Sequence, residues 1–288
     1  MASPVIKYVL IYPLLYLIRF IDFLIGLLNC KKRKQESKRP KKDAVLSELT
    51  NKADTKSPYR STQAKELVKI DNPNYNIYLA FQECTQKYSN VETLGTREVF
   101  RIEDEVQDTG KVFKKLIMGD YKWMKYTDIL SKVDSISNGL LSLGLKSGDN
   151  VVLFSETRAE WLITALACFK INVVVVTQYA TLGLPALVYG VNQTDARFII
   201  ASGDTLTKVE KIINEIPQIT NIIVFADRIT DKYIGEFKQK YKKQSVLTIK
   251  EVEDLGKSNQ VFAYTSSKRD DLAIIMYTSG STGSPKGF

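Results

Sequence analysis

From residue 127 onward, short apolar runs alternate with longer stretches whose apolar residues recur at helical spacing. The short runs predict buried β-strands at 150–154, 173–177, 198–201, 221–225, 246–249 and 272–277. The amphipathic stretches predict helices over 127–143, 157–169, 184–191, 205–216 and 233–241, and the hydroxyl of Thr127 is placed to cap the first of them. Strands alternating with helices form a parallel sheet covered on both faces, so the pattern predicts an α/β fold.

The pattern is less regular before residue 127. A helix is predicted over 77–88, and short β-like runs over 97–126 surround a turn at Asp108-Thr109-Gly110. At the other end of the chain, the strand at 272–277 is expected to lie at the edge of the sheet without a second partner. A long apolar edge of that kind favours aggregation.

The amino-terminal apolar stretch, Tyr8–Leu28, has the length of a membrane span, although Arg19 and Asp22 interrupt it. On a helix these two charges lie side by side, which lowers their cost in a bilayer. A single span fits this stretch, and so does a hairpin or interfacial helix bent at Pro13; a buried soluble helix is a further alternative. A cleaved signal peptide fits less well, because the stretch is long and no small-residue cleavage site follows it.

A basic segment follows directly and holds most of the net charge of +9. Between Lys31 and Lys42 there are eight lysines and arginines and one acidic residue, Glu36. Next to an apolar anchor, this segment predicts a cytosolic position for the rest of the chain and attraction to anionic lipids through residues 1–42, though a solvated linker has the same composition. Palmitoylation of Cys30 is a further hypothesis. Since the remainder is nearly neutral, no nucleic-acid partner is expected.

The composition excludes several classes of protein and site. Apolar residues make up 44% and charged residues 25%, as in a soluble globular domain. The chain contains no histidine, which excludes a Ser-His-Asp triad and zinc sites that need imidazole. Its cysteines (Cys30, Cys84 and Cys168) are widely spaced, which argues against a disulfide framework and fits a reducing compartment. No metal-binding residue is predicted within the chain.

The segment after the strand at 272–277 has the composition of a phosphate-binding loop. Hydroxyl residues and glycines fill Thr278-Ser279-Gly280-Ser281-Thr282-Gly283, and Lys286 follows. Glycines let the backbone N–H groups approach a phosphate chain, hydroxyls donate further hydrogen bonds, and the lysine adds positive charge. The spacing is not that of a Walker A loop, because Pro285 stands where that motif needs glycine. A flexible linker is the alternative, which the preceding apolar strand disfavours.

The sequence DLAIIMYTSGSTGSPKG (271–287) resembles the nucleotide-binding signature of the AMP-forming acyl-adenylate ligases. Upstream segments resemble those of long-chain acyl-CoA synthetases: 94–98, Tyr126, 143–145, 148–149, 156–161, 179–183 and 192–195. The resemblance covers about residue 75 to the end. It implies that residues 75–288 are part of the Rossmann-like amino-terminal domain of such an enzyme, preceded by an anchor at 1–30 and a basic tether at 31–74.

The resemblance also implies a two-step reaction. A fatty acid and ATP give an acyl-adenylate and diphosphate, and coenzyme A then displaces AMP to form the thioester. The residues implied to hold ATP are Thr278, Ser279, Gly280, Ser281, Thr282, Gly283 and Lys286. No catalytic side chain is implied within the chain, and the ligand of the implied Mg²⁺ is expected downstream of it. The amino-terminal anchor resembles that of eukaryotic members on the cytosolic face of the endoplasmic reticulum or lipid droplet.

Because the chain stops just after this signature, we expect the 288-residue chain alone to make no acyl-CoA. Two functions stay open: the amino-terminal part of a fatty acid–CoA ligase, and a catalytically inactive membrane-tethered binding or scaffold module. An unrelated NTPase is disfavoured by the failed Walker A spacing.

Among other candidate residues, Glu156 and Glu160 are expected on a solvated helix face rather than as paired catalytic carboxylates. Trp123 and Trp161 are expected to pack rather than to stack on a ligand. Tyr179 fits either a packing role or a place in the acyl site.

Overall fold

The computed structural model describes residues 47–62, 70, 72–226, 231–260, 264–278 and 286–287. The chain divides into two compact units, 1–69 and 70–288. In the first unit, β1 (Ser47–Leu49) pairs antiparallel with β2 (Tyr59–Ser61). The predicted anchor at 1–30 and the basic segment lie outside the described residues. Within the described ranges, no helix combines the length and apolarity that crossing a bilayer requires.

The second unit contains the elements of the predicted α/β fold. Its helices are α1 (Ile77–Lys87), α2 (Tyr126–Ser142), α3 (Ala159–Lys170), α4 (Leu184–Gln193), α5 (Gly203–Ile212, followed by a 3-10 turn at Ile213–Glu215), α6 (Asp231–Lys240) and α7 (Ile249–Ser258). Its strands are β3 (Glu92–Val106), β4 (Val112–Lys125), β5 (Asn150–Phe154), β6 (Val174–Gln178), β7 (Phe198–Ser202), β8 (Asn221–Phe225), β9 (Ser245–Thr248), β10 (Ile274–Thr278) and β11 (Lys286–Gly287).

Seven of these strands form one sheet in the order β11-β10-β6-β5-β7-β8-β9. All neighbours from β10 to β9 are parallel, and β11 is antiparallel to β10. Neighbouring residues of β6 point to opposite faces of the sheet and pack in different hydrophobic cores. Val175 packs in the core formed with α1, α2, α3 and α7, and Val176 packs in the core formed with α4, α5 and α6. Both valines are fully buried, which confirms the prediction of a sheet covered on both faces.

The remaining pair of strands forms a long antiparallel hairpin, where the sequence predicts only short β-like runs. β3 has 15 residues and β4 has 14. They pair from Glu92 opposite Lys125 to Val106 opposite Val112, with several register shifts. The predicted turn is present, with Gly110 at a φ of +78°. Its cross-strand side chains explain the length, because an acidic β3 faces a lysine-rich β4, as in the pair Asp104 and Lys114.

Two helices have N-terminal caps that the sequence analysis does not assign. Helix α2 begins one residue before Thr127, whose hydroxyl donates to Ser89 O instead (3.3 Å), while Asp128 Oδ2 accepts the Lys125 N–H (2.9 Å). Helix α7 was not predicted; its cap is Thr248, whose N–H donates to Glu251 Oε2 (2.6 Å). The spacing of Thr248 and Glu251 is that of a capping box, so the signal is present in the sequence.

Helices α2 and α7 cross at glycines. A Cβ on Gly256 would lie 1.8 Å from the carbonyl oxygen of Ser135, and one on Gly139 would lie 2.1 Å from that of Val252. Real side chains cannot occupy these spaces, so the two glycines set how closely the helices approach each other.

The expectation that the strand at 272–277 lacks a second partner is wrong. β10 pairs with β6 on one side and with β11 on the other, through Tyr277 opposite Gly287 and Thr278 opposite Lys286. The prediction failed because it treated the Pro-Lys-Gly segment as the end of a loop, whereas Lys286 and Gly287 return along the strand that precedes it.

Candidate functional site

The candidate phosphate-binding segment begins and ends at the carboxyl edge of the sheet. Thr278 is the last residue of β10, and Lys286, the first residue of β11, is its partner across the two strands. The side chains of these two residues, and all of 279–285, lie outside the described part. The predicted residues Ser279, Gly280, Ser281, Thr282 and Gly283 therefore stay predictions. The structure does bring Thr278 and Lys286 side by side, where ligands of parallel sheets bind.

Tyr277 fixes the base of this segment. Its ring is 2% exposed, and its hydroxyl donates to Gln193 Oε1 (2.7 Å) and contacts Gly190 O (3.4 Å). A Cβ on Gly287 would lie 3.2 Å from the ring, so β11 runs directly against it. Burial raises the pKa of the tyrosine, which keeps the hydroxyl protonated and available as a donor.

Gln178 ends β6 beside Tyr277 and is buried at 3% exposure. Its amide lies against the backbone of Gly190, because a Cβ there would come within 2.0 Å of Nε2. Among the described residues, neither the amide nitrogen nor the amide oxygen of Gln178 has a hydrogen-bond partner. A buried amide in this state is costly, and no sequence pattern predicts it.

Lys208 of α5 binds the backbone of the loop between β6 and α4. The Lys208 ammonium donates to Ala180 O (2.7 Å) and Leu182 O (3.0 Å) and lies 6.0 Å from the centre of the Phe154 ring.

Tyr179, at the start of this loop, is 55% exposed at the same edge as Thr278. Because so much of its ring is exposed, Tyr179 is not a core packing residue; its place in an acyl site stays a prediction.

A polar cluster joins the carboxyl ends of β5 and β7. Arg158 donates to both oxygens of Glu160 (3.0 and 3.2 Å) and to Glu156 Oε1 (3.2 Å), and Ser202 donates to Glu156 Oε2 (2.6 Å). The expectation of a solvated helix face holds only in part. The two carboxylates are 43% and 35% exposed, but Glu156 precedes α3 and Arg158, which is 17% exposed, binds both of them. The cluster lies between the two strands whose crossovers leave in opposite directions, which is where α/β sheets open a crevice.

The charged form of Glu160 is favoured. Burial alone would raise its pKa, but the hydrogen bonds and charge of Arg158 outweigh burial and lower it. A lowered pKa makes the carboxylate a weaker proton acceptor, and its pairing with Arg158 suits a positioning role. Sequence reasoning missed the contribution of Ser202 because it lies 46 residues from Glu156.

Trp161 has the expected packing role, whereas Trp123 packs only within the hairpin. Trp161 is partly buried against the core layer that includes α3. Trp123 stacks on Tyr121 at a ring distance of 5.4 Å and covers Gly95, where a Cβ would lie 2.8 Å from the indole. Its ring is nevertheless 50% exposed on the hairpin.

No three His, Cys, Asp or Glu side chains within the described ranges converge on a point that could bind a metal ion. The Mg²⁺ ligand expected downstream of the chain stays a prediction.

A family match covers residues 104–288, and the matching family is described as AMP-binding enzyme. The chain belongs to this family. Among curated relatives, Long chain acyl-CoA synthetase 8 of Arabidopsis thaliana is 38% identical over 207 residues, which are 72% of this chain and 28% of the relative. Fatty acyl-CoA synthetase A of Dictyostelium discoideum is 31% identical over 231 residues, which are 80% of this chain and 32% of the relative. The resemblance to long-chain acyl-CoA synthetases is thereby confirmed. The chain spans about a third of the length of these relatives.

Solved structures of other proteins have the same fold as this chain. The adenylation domain of a carboxylate reductase from Mycobacterium chelonae matches with a TM-score of 0.64 at 17% identity, covering 75% of this chain and 34% of that one. The corresponding domain from Segniliparus rugosus, solved with AMP and a carboxylic acid, matches with a TM-score of 0.60 at 17% identity, covering 73% and 34%. The α/β sheet is thus that of an adenylation domain.

Proposed function

We propose that this chain supplies the phosphate-binding part of an ATP-dependent long-chain fatty acid–CoA ligase. The observation that carries the proposal is the pairing of Thr278 with Lys286 at the carboxyl edge of the sheet, in a chain that belongs to the AMP-binding enzyme family. In the sequence, the hydroxyl residues and glycines of 278–283 connect these two strands, and ligands of parallel sheets bind beyond the carboxyl ends of the strands. Backbone N–H groups, hydroxyls and a lysine are the donors that a triphosphate requires.

The proposed reaction has two displacements. A carboxylate oxygen of the fatty acid attacks the α-phosphorus of ATP, and diphosphate leaves with the electron pair of the broken P–O bond. The thiol sulfur of coenzyme A then attacks the acyl carbon, loses its proton, and AMP leaves. Both nucleophiles belong to substrates, which suits a chain without histidine, and Lys286 would stabilise negative charge on the phosphates.

The phosphate-binding role is tested by ATP binding to the chain. Equilibrium dialysis should show ATP bound more tightly than adenosine. Lys286→Ala should weaken ATP binding about tenfold, because one charge-assisted contact to phosphate is lost. Lys243→Ala, which removes an exposed lysine near the carboxyl end of α6, is the control and should bind ATP as the parent chain does. Equal binding of ATP and adenosine, or no effect of Lys286→Ala, would overturn the role.

The fatty acid and coenzyme A are proposed for the whole enzyme, since the chain spans about a third of the relatives whose names give these substrates. Reading the transcript beyond codon 288 tests this part. An open frame that continues into a further adenylation sequence supports the ligase. A stop codon directly after Phe288 contradicts it and favours the inactive membrane-tethered module.

We also propose that residues 1–42 attach the protein to the cytosolic face of the endoplasmic reticulum or lipid droplet. The apolar stretch and the basic segment of the sequence support this. A reporter fused to residues 1–42 should be recovered with membranes, and one fused to residues 47–62 should not. A diffuse cytosolic signal from the first fusion would contradict membrane attachment.

A further inference from the structure

A cavity of about 330 Å³ lies at the amino edge of the sheet, at the far end of β10 from Thr278. Val173 and Ala273, which immediately precede β6 and β10, form its floor. Because Ala273 and Thr278 are five residue steps apart, the cavity and the phosphate-binding segment are separated by roughly 16 Å of extended strand. The cavity is therefore a different place from the proposed nucleotide site.

The walls of this cavity are mainly apolar. Ile77 and Ala80 come from α1, Phe169 from the end of α3, and Leu272 from the segment that leads into β10. Ile77 and Leu272 are 50% and 57% exposed, so part of this apolar wall faces water. An apolar ligand that covers them would remove this surface from water.

The rim of the cavity carries two cationic side chains, Lys268 and Arg269. No ion pair of the Lys268 ammonium is present among the described residues, and Arg269 uses one N–H on Ile70 O (2.9 Å). The acidic group on the rim is Asp271, one of whose oxygens already accepts the Lys268 N–H (2.8 Å).

The amide of Asn76, in contrast, is fully engaged by the protein. It caps α1 by accepting from the Leu79 N–H (2.8 Å) and donates to Ser267 O (2.6 Å). No acidic residue occupies the first turn of α1, so the helix dipole adds to the positive field at this end. The cations are thus the groups left to bind a ligand.

We propose that this cavity binds a single-chain amphiphile with an anionic head, namely a medium-length fatty carboxylate. The apolar walls take the chain, and Lys268 and Arg269 take the carboxylate. If a methylene group is taken as about the size of a water molecule, the volume holds roughly ten of them. The inference goes beyond the proposed function, because it concerns the opposite edge of the sheet and requires no nucleotide.

Calorimetric titration of the 288-residue chain with dodecanoate tests the ligand chemistry. One equivalent of dodecanoate should bind, and both hexanoate and dodecyltrimethylammonium should bind at least about tenfold more weakly, because one lacks the chain and the other reverses the charge. Equal binding of dodecanoate and dodecyltrimethylammonium would overturn the role of the cationic rim, and no binding of dodecanoate would overturn the site.

Two variants test the location. Ala80→Phe fills the cavity, and Lys268→Glu reverses the charge at its rim; each should weaken dodecanoate binding about tenfold. Lys243→Glu makes the same charge change on a distant exposed lysine and should bind like the parent chain. Thermal melting checks that each variant is folded, and Lys268→Glu, a surface change, decides the matter if Ala80→Phe does not fold. Unchanged binding in a folded Lys268→Glu chain would overturn the location.

Failure of this proposal can be distinguished from failure of the proposed function. Lys286→Ala should leave dodecanoate binding intact, and Ala80→Phe should leave ATP binding intact. A photoreactive dodecanoate should label peptides that contain residues 76–80 or 267–273. Labelling confined to other peptides would place the ligand elsewhere and overturn the inference.

Discussion

At the scale of single residues, the buried polar groups beside the phosphate-binding segment differ in whether they have partners. Tyr277 and Gln193 satisfy each other across 2.7 Å, whereas the Gln178 amide has no hydrogen-bond partner among the described residues. An unpaired buried amide costs more than a paired one contributes, so the two glutamines should respond in opposite ways to the same substitution.

Gln178→Met should raise the free energy of unfolding by about 1–3 kcal/mol, because an apolar side chain of similar size replaces an unpaired amide. Gln193→Met should lower it by about 1–3 kcal/mol, because the Tyr277 hydroxyl loses its acceptor. Urea denaturation of both variants measures the difference. A loss of stability in Gln178→Met would show that the amide has a partner outside the described residues.

Glu160 predicts a pH dependence of stability. Its pKa is lowered in the folded chain, so the unfolded chain binds the proton more tightly. The stabilisation is complete above the ordinary glutamate pKa of 4.5 and is lost as the pH falls through the lower folded value. Glu160→Gln should therefore lose less stability than the parent chain between pH 5 and the acid limit of folding, as measured by urea midpoints.

The control for this prediction is Glu236→Gln on α6, where the nearest ammonium, that of Lys232, lies 4.0 Å away at the surface. That variant should follow the pH profile of the parent chain. Identical profiles for Glu160→Gln and the parent would contradict the assignment of acid sensitivity to the Arg158 cluster.

At the scale of elements, the hydrophobic pattern was sufficient for most strands and helices. The strands 150–154 and 221–225 are predicted with the observed bounds, because continuous apolar runs between polar turns leave little choice. The apolar pattern does not predict helix α7, although its capping signal, Thr248 with Glu251, is present in the sequence. Contacts such as Ser202 with Glu156 are beyond pattern reasoning, since they join residues that only the sheet order brings together.

The crossing of α2 and α7 gives a prediction at this scale. Gly256→Ala should destabilise the chain by about 3 kcal/mol, because the new methyl group meets the backbone oxygen of Ser135 and the helices must separate. Gly235→Ala, in the exposed middle of α6 with no atom near its Cβ, should instead stabilise by about 1 kcal/mol through helix propensity. Urea denaturation compares the two, and equal effects would contradict the close crossing.

At the scale of the whole molecule, the second unit depends on a sheet buried on both faces. The sequence predicted this arrangement and the nucleotide signature that follows its last predicted strand. It did not predict the return of β11 along β10, because a two-residue strand has no periodicity to detect. The position of Thr278 opposite Lys286 is accordingly a finding of the structure, and the side chains of 279–283 stay predictions.

Because β6 is buried on both faces, truncating either of two neighbouring residues should lower the free energy of unfolding by the same amount. Val175→Ala and Val176→Ala should each destabilise the chain by about 2 kcal/mol, because each removes two methyl groups from a filled core. Met276→Ala on β10, where the side chain is 46% exposed, should cost less than about 1 kcal/mol. Thermal unfolding with calorimetric enthalpies measures these changes. A neutral effect at Val175 or Val176 would show that one face of the sheet is uncovered.

The pairing of Thr278 with Lys286 also has a consequence for protein engineering and for evolution. A connection whose two ends are neighbours in a sheet can change in length or chemistry without moving the strands that carry it. Among the described residues, Gly190 and Gly287 lie directly against Tyr277 and belong to the scaffold rather than to the connection. The same scaffold can therefore carry different connecting sequences, so that selectivity for the bound anion can be altered by grafting while the sheet is inherited unchanged.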